Sequence, residues 1–345
     1  MNQTSREIVK NCLTFNTPQR MPRDIWYLPC FSKKYPEQLK KLLEKYPSDL
    51  GSIPNVYRAS KKVKGDAYVS GEYIDEWGCE FTNIHEGIIG EVKNPLMEEI
   101  TDFNKITPPY EMLPANYAKA RDIINRAYGD SDKFIMAGCC PRPWERFQFI
   151  RGTENAMMDL ALYPEEIETA LKKVHDFYMK ELEFWTTTDV DGIFFMDDWG
   201  AQKDLLISCD MWRRFFKPMY KDYCDIAKAN GKNVFMHSDG NITRIYKELI
   251  EIGVDAINSQ VFCMDMEEVA KLAKGKITFW GEIDRQHVIP SKDTQIGRDA
   301  VRTIAKKLYD SKGGIISQFE LGPGANPEMP FAIMDEWKKV QAEGE

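Results

Sequence analysis

The sequence contains no Cys-x-x-Cys pair, although it holds eight cysteines in 345 residues. Their scatter, with Cys139 and Cys140 adjacent, excludes a zinc-finger framework. In a chain this long it argues for reduced thiols and a cytoplasmic setting. No run of about 18 apolar residues occurs, so no membrane span is expected. Met1 to Phe15 is too polar to read as a signal peptide. The net charge of −8 is spread with both signs interspersed, which leaves no basic footprint for nucleic acid or an acidic membrane surface. No Gly-x-Gly-x-x-Gly follows a strand and no Gly-x-x-x-x-Gly-Lys-Ser/Thr loop is present, so nucleotide binding has no support. Low-complexity segments and short repeats are missing too. What remains is an ordinary globular composition, 43% hydrophobic and 29% charged, with ample material for a large core.

The second half of the chain alternates short apolar runs with amphipathic helices. Asp191–Asp198, Asn233–Asp239, Asp255–Gln260, Ile277–Glu282 and Gly314–Glu320 read as buried strands, each followed by a helical pattern. Two further strands are expected near Asp24–Phe31 and Lys133–Gly138, with helices between, including one over Glu111–Tyr128. This repetition predicts a parallel sheet covered by helices, and the strand count favours a (β/α)8 barrel over an open doubly wound sheet. Residues 57–95 break the rhythm. Gly65, Gly71, Gly78, Gly87 and Gly90 punctuate short Tyr-, Ile- and Val-containing segments there, predicting a β-hairpin excursion over the barrel mouth. Its Asp75 and Glu76 are expected to be solvated. The whole chain, 1–345, is expected to be one barrel domain.

The chemistry concentrates on Asn233-Val-Phe-Met-His-Ser-Asp-Gly-Asn241. Residues i and i+2 of a strand point the same way, about 7 Å apart, so His237 and Asp239 aim at one point while Gly240 turns the backbone away. That arrangement suits two ligands on one metal ion or a His–Asp pair sharing a proton. It equally describes a satisfied core histidine beside an Asp helix cap. Active-site groups of a barrel come from the carboxyl ends of several strands. Those ends carry Cys30, Cys139 and Cys140, Asp197 and Asp198, Gln260 and Cys263, Glu282 and Asp284, and Glu320. Asp197 and Asp198 are neighbours and face opposite ways, so at most one looks into the barrel. The aromatic residues Trp26, Tyr27, Phe31, Trp77, Trp199 and Trp280 lie near strand ends or on the excursion; core and rim packing is the simpler reading for each.

Several motifs together resemble the uroporphyrinogen decarboxylase superfamily. They are Phe195-Met-Asp-Asp-Trp-Gly200, Trp212-Arg-Arg-Phe-Phe-Lys-Pro218, the His237 strand, Trp280-Gly-Glu-Ile-Asp284 and Phe319-Glu-Leu-Gly-Pro-Gly324. Asn16-Thr-Pro-Gln-Arg-Met-Pro22 extends the likeness to the start of the chain. The resemblance implies a (β/α)8 barrel, often as a homodimer, and two branches of chemistry. Porphyrinogen decarboxylases carry an arginine-rich loop after the first strand; here Tyr27-Leu-Pro-Cys-Phe-Ser-Lys-Lys34 stands instead, without arginine. Lysine lacks the planar fork that grips carboxylates in pairs. Methyltransferases serving corrinoid proteins hold zinc on a His-x-Cys at this strand and a Cys in the last loop. In this chain Asp239 takes the first Cys position and Ala325 the second, so a thiolate-rich site for a thiol acceptor is missing.

The resemblance therefore implies the other half of corrinoid chemistry: transfer of a methyl group from a small methylated compound, foremost an O-methyl ether, to the Co(I) of a partner corrinoid protein. The leaving oxygen then needs a proton or a Lewis acid. His237 and Asp239 are expected to hold a zinc ion or that proton, with Glu320, Glu282 or Cys263 completing the set. Asp197 or Asp198 would orient the substrate or the His, and Tyr27, Trp199, Trp280 and Gln260 would contact the substrate. A decarboxylase-like lyase and a non-catalytic ligand-binding relative are the alternatives.

Overall fold

The computed structural model describes residues 2–344. Its centre is a ring of parallel strands. β1 (Arg23–Tyr27), β2 (Leu50–Gly51) and, after a long excursion, β6 (Phe134–Ile135) begin it. The excursion itself supplies β3 (Gly71–Ile74), β4 (Glu80–Asn83) and β5 (Glu91–Asn94). β7 (Gly192–Met196), β8 (Asn233–Ser238), β9 (Ala256–Ser259), β10 (Thr278–Trp280) and β11 (Ile315–Leu321) continue the ring. Six strands form one continuous sheet in the order β1-β11-β10-β9-β8-β7, and β2 pairs with β6. The two sheets join through a few backbone bonds: Asp49 N donates to Arg23 O on one side, and Ala137 N to Gly192 O and Asp191 N to Ile135 O on the other. Together they make the eight-stranded barrel that the alternating pattern predicted.

Seven of these eight strands were readable from apolar runs; β2 was not, because two residues carry no periodicity. The expected helix at Glu111 begins only at Tyr117, where the Asn116 side chain accepts from Lys119 N as its cap. Among the described residues no helix is long and apolar enough to cross a membrane.

Period-two alternation sorts each strand into an inner and an outer set. Phe134, Phe235, Ala256, Trp280 and Ile316 meet inside the barrel. The N-terminal helix Ser5–Leu13 contributes Val9, Cys12 and Leu13 to that cluster and closes the bottom. Ile193, Phe195, Val234, Met236 and Ile257 face outward into the main core, against the helices. The barrel centre is therefore packed, and the open chemistry is pushed to the carboxyl ends of the strands.

The excursion is a three-stranded antiparallel sheet, β3-β4-β5, rather than a simple hairpin. It lies against the short helix Pro29–Lys34 after β1: a side chain on Gly87 would strike the Cys30 backbone. Trp77, 2% exposed, packs edge-on against Phe177. Asp75 is buried as well, correcting the expectation that it is solvated. Its carboxylate accepts from Trp77 N at 2.9 Å and Cys79 N at 2.8 Å and pairs with Arg146.

Candidate active site

β7 and β8 run side by side with Met196 opposite His237, so the residues just past Met196 and His237 emerge together at the barrel mouth. On β7 the alternation sends Asp197 outward and Asp198 inward, as neighbouring strand residues must. Asp197 is fully buried among the helices. It accepts from Glu145 N at 2.7 Å, Trp144 N at 3.1 Å and the Tyr220 hydroxyl at 2.5 Å. Those amides open the helix Pro143–Arg151, so Asp197 anchors that helix and leaves no oxygen for the mouth. Trp199 follows it outward. It stacks on Trp144 with ring centroids 5.6 Å apart and donates its indole N–H to Tyr220. Trp280 is 3% exposed inside the barrel, edge-on to Trp26 and Phe235. Both tryptophans thus sit in packing positions, away from where the sequence reading placed a substrate. Tyr27 stands on the rim, 43% exposed.

Asp198, His237 and Asp239 come together. Each offers a donor atom, and all three lie within 4.8 Å of one another. His237 Nε2 is 3.4 Å from Asp198 Oδ1 and 3.4 Å from Asp239 Oδ1. The other ring nitrogen is fixed from behind: Nδ1 lies 2.6 Å from Asn258 Oδ1. Asn258 spends its amide donors on Trp280 O and on Gln318 Oε1, so its oxygen must accept and His237 Nδ1 must carry the proton. Nε2 is left to face the two carboxylates. Burial alone would push the imidazole down, but Asp198 and Asp239 overcome it and raise His237 to about 9. Burial likewise works against the Asp198 charge, yet His237 holds its carboxyl below the usual range.

The turn after β8 keeps Asp239 in place. Asp239 N donates to Asp198 Oδ1 at 3.0 Å, Gly200 N donates to Asp239 O at 3.0 Å, and Gly240 N donates to Gln260 Oε1 at 3.1 Å. Gln260 is thereby a brace for the turn. Gly240 has φ +74°, and a Cβ there would lie 2.0 Å from the Gly200 carbonyl oxygen. Gly240→Ala is expected to lower stability by about 2–4 kcal/mol, since strain in φ and a backbone clash add. A shift of the urea midpoint at constant slope would measure it; an unchanged midpoint would mean the turn relaxes freely.

The residue that sequence reading missed is Arg285. Its guanidinium reaches Glu282 through Nε at 2.8 Å, Glu320 through Nη1 at 3.0 Å, and both Asp239 oxygens through Nη2 at 2.5 and 2.6 Å. The carboxylates proposed to complete a metal set are thus gathered on an arginine. Burial raises Glu282 to about 8 while Arg285 pulls the other way. Cys263 stands on the turn Val261–Cys263, beside Gln260 at 3.6 Å, and outside the three-donor group. The spacing Glu282-x-x-Arg285 was visible, but nothing in it announces three partners from three strand ends.

A separate cavity of about 600 Å³ lies between the small sheet, the loop after β6 and the helix Pro164–Trp185. Cys139 and Cys140, expected at the strand ends, line this cavity. Burial pushes the Cys140 thiol up to about 11, which keeps it uncharged. Asp197 joins the two regions, because Glu145, whose amide it holds, also lines the cavity.

Comparison with known proteins adds family and fold. The profile of the uroporphyrinogen decarboxylase (URO-D) family matches residues 74–340. A methyltransferase from Methanosarcina mazei superposes with a TM-score of 0.68 at 15% identity, covering 98% of this chain and 99% of its own. An endo-beta-1,4-xylanase of glycoside hydrolase family 10 from Gloeophyllum trabeum gives a TM-score of 0.45 at 10% identity, covering 94% and 98%. At 15% identity the methyltransferase match speaks for fold alone. No curated protein matches the sequence.

Proposed function

This chain belongs to the uroporphyrinogen decarboxylase (URO-D) family, and on that premise we propose that it is a methyltransferase that moves a methyl group from a small O-methyl ether to the Co(I) of a partner corrinoid protein. The observation that carries the reading is the Asp198–His237–Asp239 group at the mouth, with Nε2 of the histidine presented to two carboxylates. Donors about 2.0–2.2 Å from a tetrahedral zinc ion lie about 3.3–3.6 Å apart, and 3.4 Å separates His237 from each carboxylate here. A His ligand normally donates its second nitrogen to a neighbouring oxygen, as Nδ1 does to Asn258. The residues fit such an ion, and when bound it would polarise the ether oxygen as a Lewis acid.

The chain's own groups account for the rest. Asn258 holds the ring orientation, and Arg285 tethers Asp239 and offsets the carboxylate charge. As the carbon–oxygen bond breaks and the methyl carbon bonds to cobalt, the oxygen leaves with the electron pair and then takes a proton. Without a metal, the proton on His237 Nε2, held by Asp198 and Asp239, is the available acid. A lyase acting on a polycarboxylate is a poorer match. Asp198, Asp239, Glu282 and Glu320 face one guanidinium that is already engaged by three of them. Lys33, on the short helix Pro29–Lys34 after β1, is paired with Glu86.

The test is direct. Purified protein is mixed with reduced corrinoid protein and a panel of methyl ethers, and the absorbance of methyl-Co(III) is followed. Transfer from at least one ether is expected. Transfer only from N- or S-methyl donors would replace the ether assignment, and no transfer from any donor would sink the reading.

A further inference from the structure

We infer that the cavity beneath the three-stranded sheet is a binding site for an organic cation bearing an aromatic or methylated apolar body. The inference stands apart from the methyl-transfer reading, because none of Asp198, His237 and Asp239 lines the cavity.

Its charge balance is the first argument. The lining holds two guanidinium groups, Arg142 and Arg146, against four carboxyl groups, Asp75, Glu76, Glu145 and Glu181. Both arginines are already matched. Arg142 pairs with Glu145 at 2.8 Å, and Arg146 pairs with Asp75 and, at 3.3 Å, with Glu76. Glu181 is left over. It is 8% exposed and forms no ion pair among the described residues. An unpaired buried carboxylate is costly, and a cationic guest would relieve that cost.

The second argument is how Glu181 is presented. Glu181 and Tyr57 line the cavity together, and the Tyr57 hydroxyl accepts from Trp185 Nε1 at 2.7 Å. The carboxyl group is buried at the cavity wall. Burial raises it to about 7, with Tyr57 acting against that rise. The third argument is the wall itself. Trp77, Phe177 and Tyr178 pack on one another at centroid distances of 5.2–6.1 Å and line the cavity. That wall already accommodates one cation, since the Arg146 guanidinium lies 5.1 Å from the Trp77 ring centre and 5.4 Å from that of Phe149. Aromatic faces attract cations that carry little hydration, such as alkylated ammonium groups. A cavity of about 600 Å³ is roomy for one ring and one such headgroup.

An anionic aromatic ligand is the opposing prediction, through Arg142 and Arg146. Titration calorimetry with three probes of similar size separates them: benzyltrimethylammonium, neutral benzyl alcohol and benzoate. Benzyltrimethylammonium is expected to bind about tenfold or more tighter than benzyl alcohol, and benzoate least. Glu181→Gln, which keeps the shape and removes a buried charge, should cost the cation about tenfold and leave benzyl alcohol unchanged. Phe177→Leu should weaken the cation and benzyl alcohol together. Benzoate binding tightest, cation affinity unmoved by Glu181→Gln, or no binding of the cation would each overturn the inference. None of these outcomes depends on methyl transfer, so either proposal can fail alone.

Discussion

Replacing His237 by alanine is expected to strip the protein of bound zinc, from about one ion per chain to none, and to slow methyl transfer by at least about 10³-fold. Three donors form the proposed site, and only His237 contributes a nitrogen. Removing it leaves Asp198 and Asp239 facing each other without a cation between them. Their like charges then oppose each other, and the backbone bonds from Asp239 N to Asp198 and from Gly200 N to Asp239 O are left to hold the two strand ends together. The comparison is metal content of wild type and His237→Ala, purified side by side without chelator. Asn258→Leu is the graded control. It leaves the three donors intact but frees the ring, and loss of such a supporting partner typically weakens metal affinity about 10–100-fold. Metal in neither wild type nor variant would end the zinc proposal and leave His237 as a proton donor. Metal retained in His237→Ala would mean that the ion sits elsewhere.

Much of this site was legible because strands alternate. His237 and Asp239 were expected to point one way, and they do; Asp197 and Asp198 were expected to point apart, and the first caps a helix while the second meets His237. The barrel followed from the same regularity, since short apolar runs ending in polar groups alternate with helices through the second half of the chain. What failed to show was everything set by tertiary reach. β2 has only two residues, and its place in the ring depends on backbone bonds to β6 and Arg23. Asp75 looked like a loop acid but is buried, because Arg146 arrives from a helix 71 positions away. Glu282 and Glu320 looked like spare metal ligands, because a sequence shows an acid-rich mouth without showing that one loop arginine spans it. Trp199 and Trp280 were offered as substrate contacts with packing as the simpler reading, and the fold uses them as filling on either side of the strand wall.

That arginine supplies the second large effect. Arg285→Met is expected to destabilise the protein by about 3–5 kcal/mol near pH 8 and far less near pH 5. Removing one partner of a buried ion pair leaves the other's charge uncompensated, and here Asp239, Glu282 and Glu320 lose their cation together. The sign follows from linkage. Burial already places the folded-state value for Glu282 at about 8, above the usual range for an unfolded glutamate. A carboxyl group raised on folding is neutral in the native protein at low pH. It therefore costs stability only as pH rises through the unfolded value, about 4.3, toward the folded one. Without Arg285 that window should widen upward and the loss deepen. Arg285→Lys should recover only part of it, because one ammonium cannot place donors on three strand ends as the planar fork does. Adding Glu282→Gln to Arg285→Met should recover more, by removing the most deeply buried of the three charges. Chemical unfolding at pH 5 and pH 8 reads all four proteins. Equal losses at both pH values would show that Arg285 acts through packing, and the account of the mouth as a charge-balanced site would then fail.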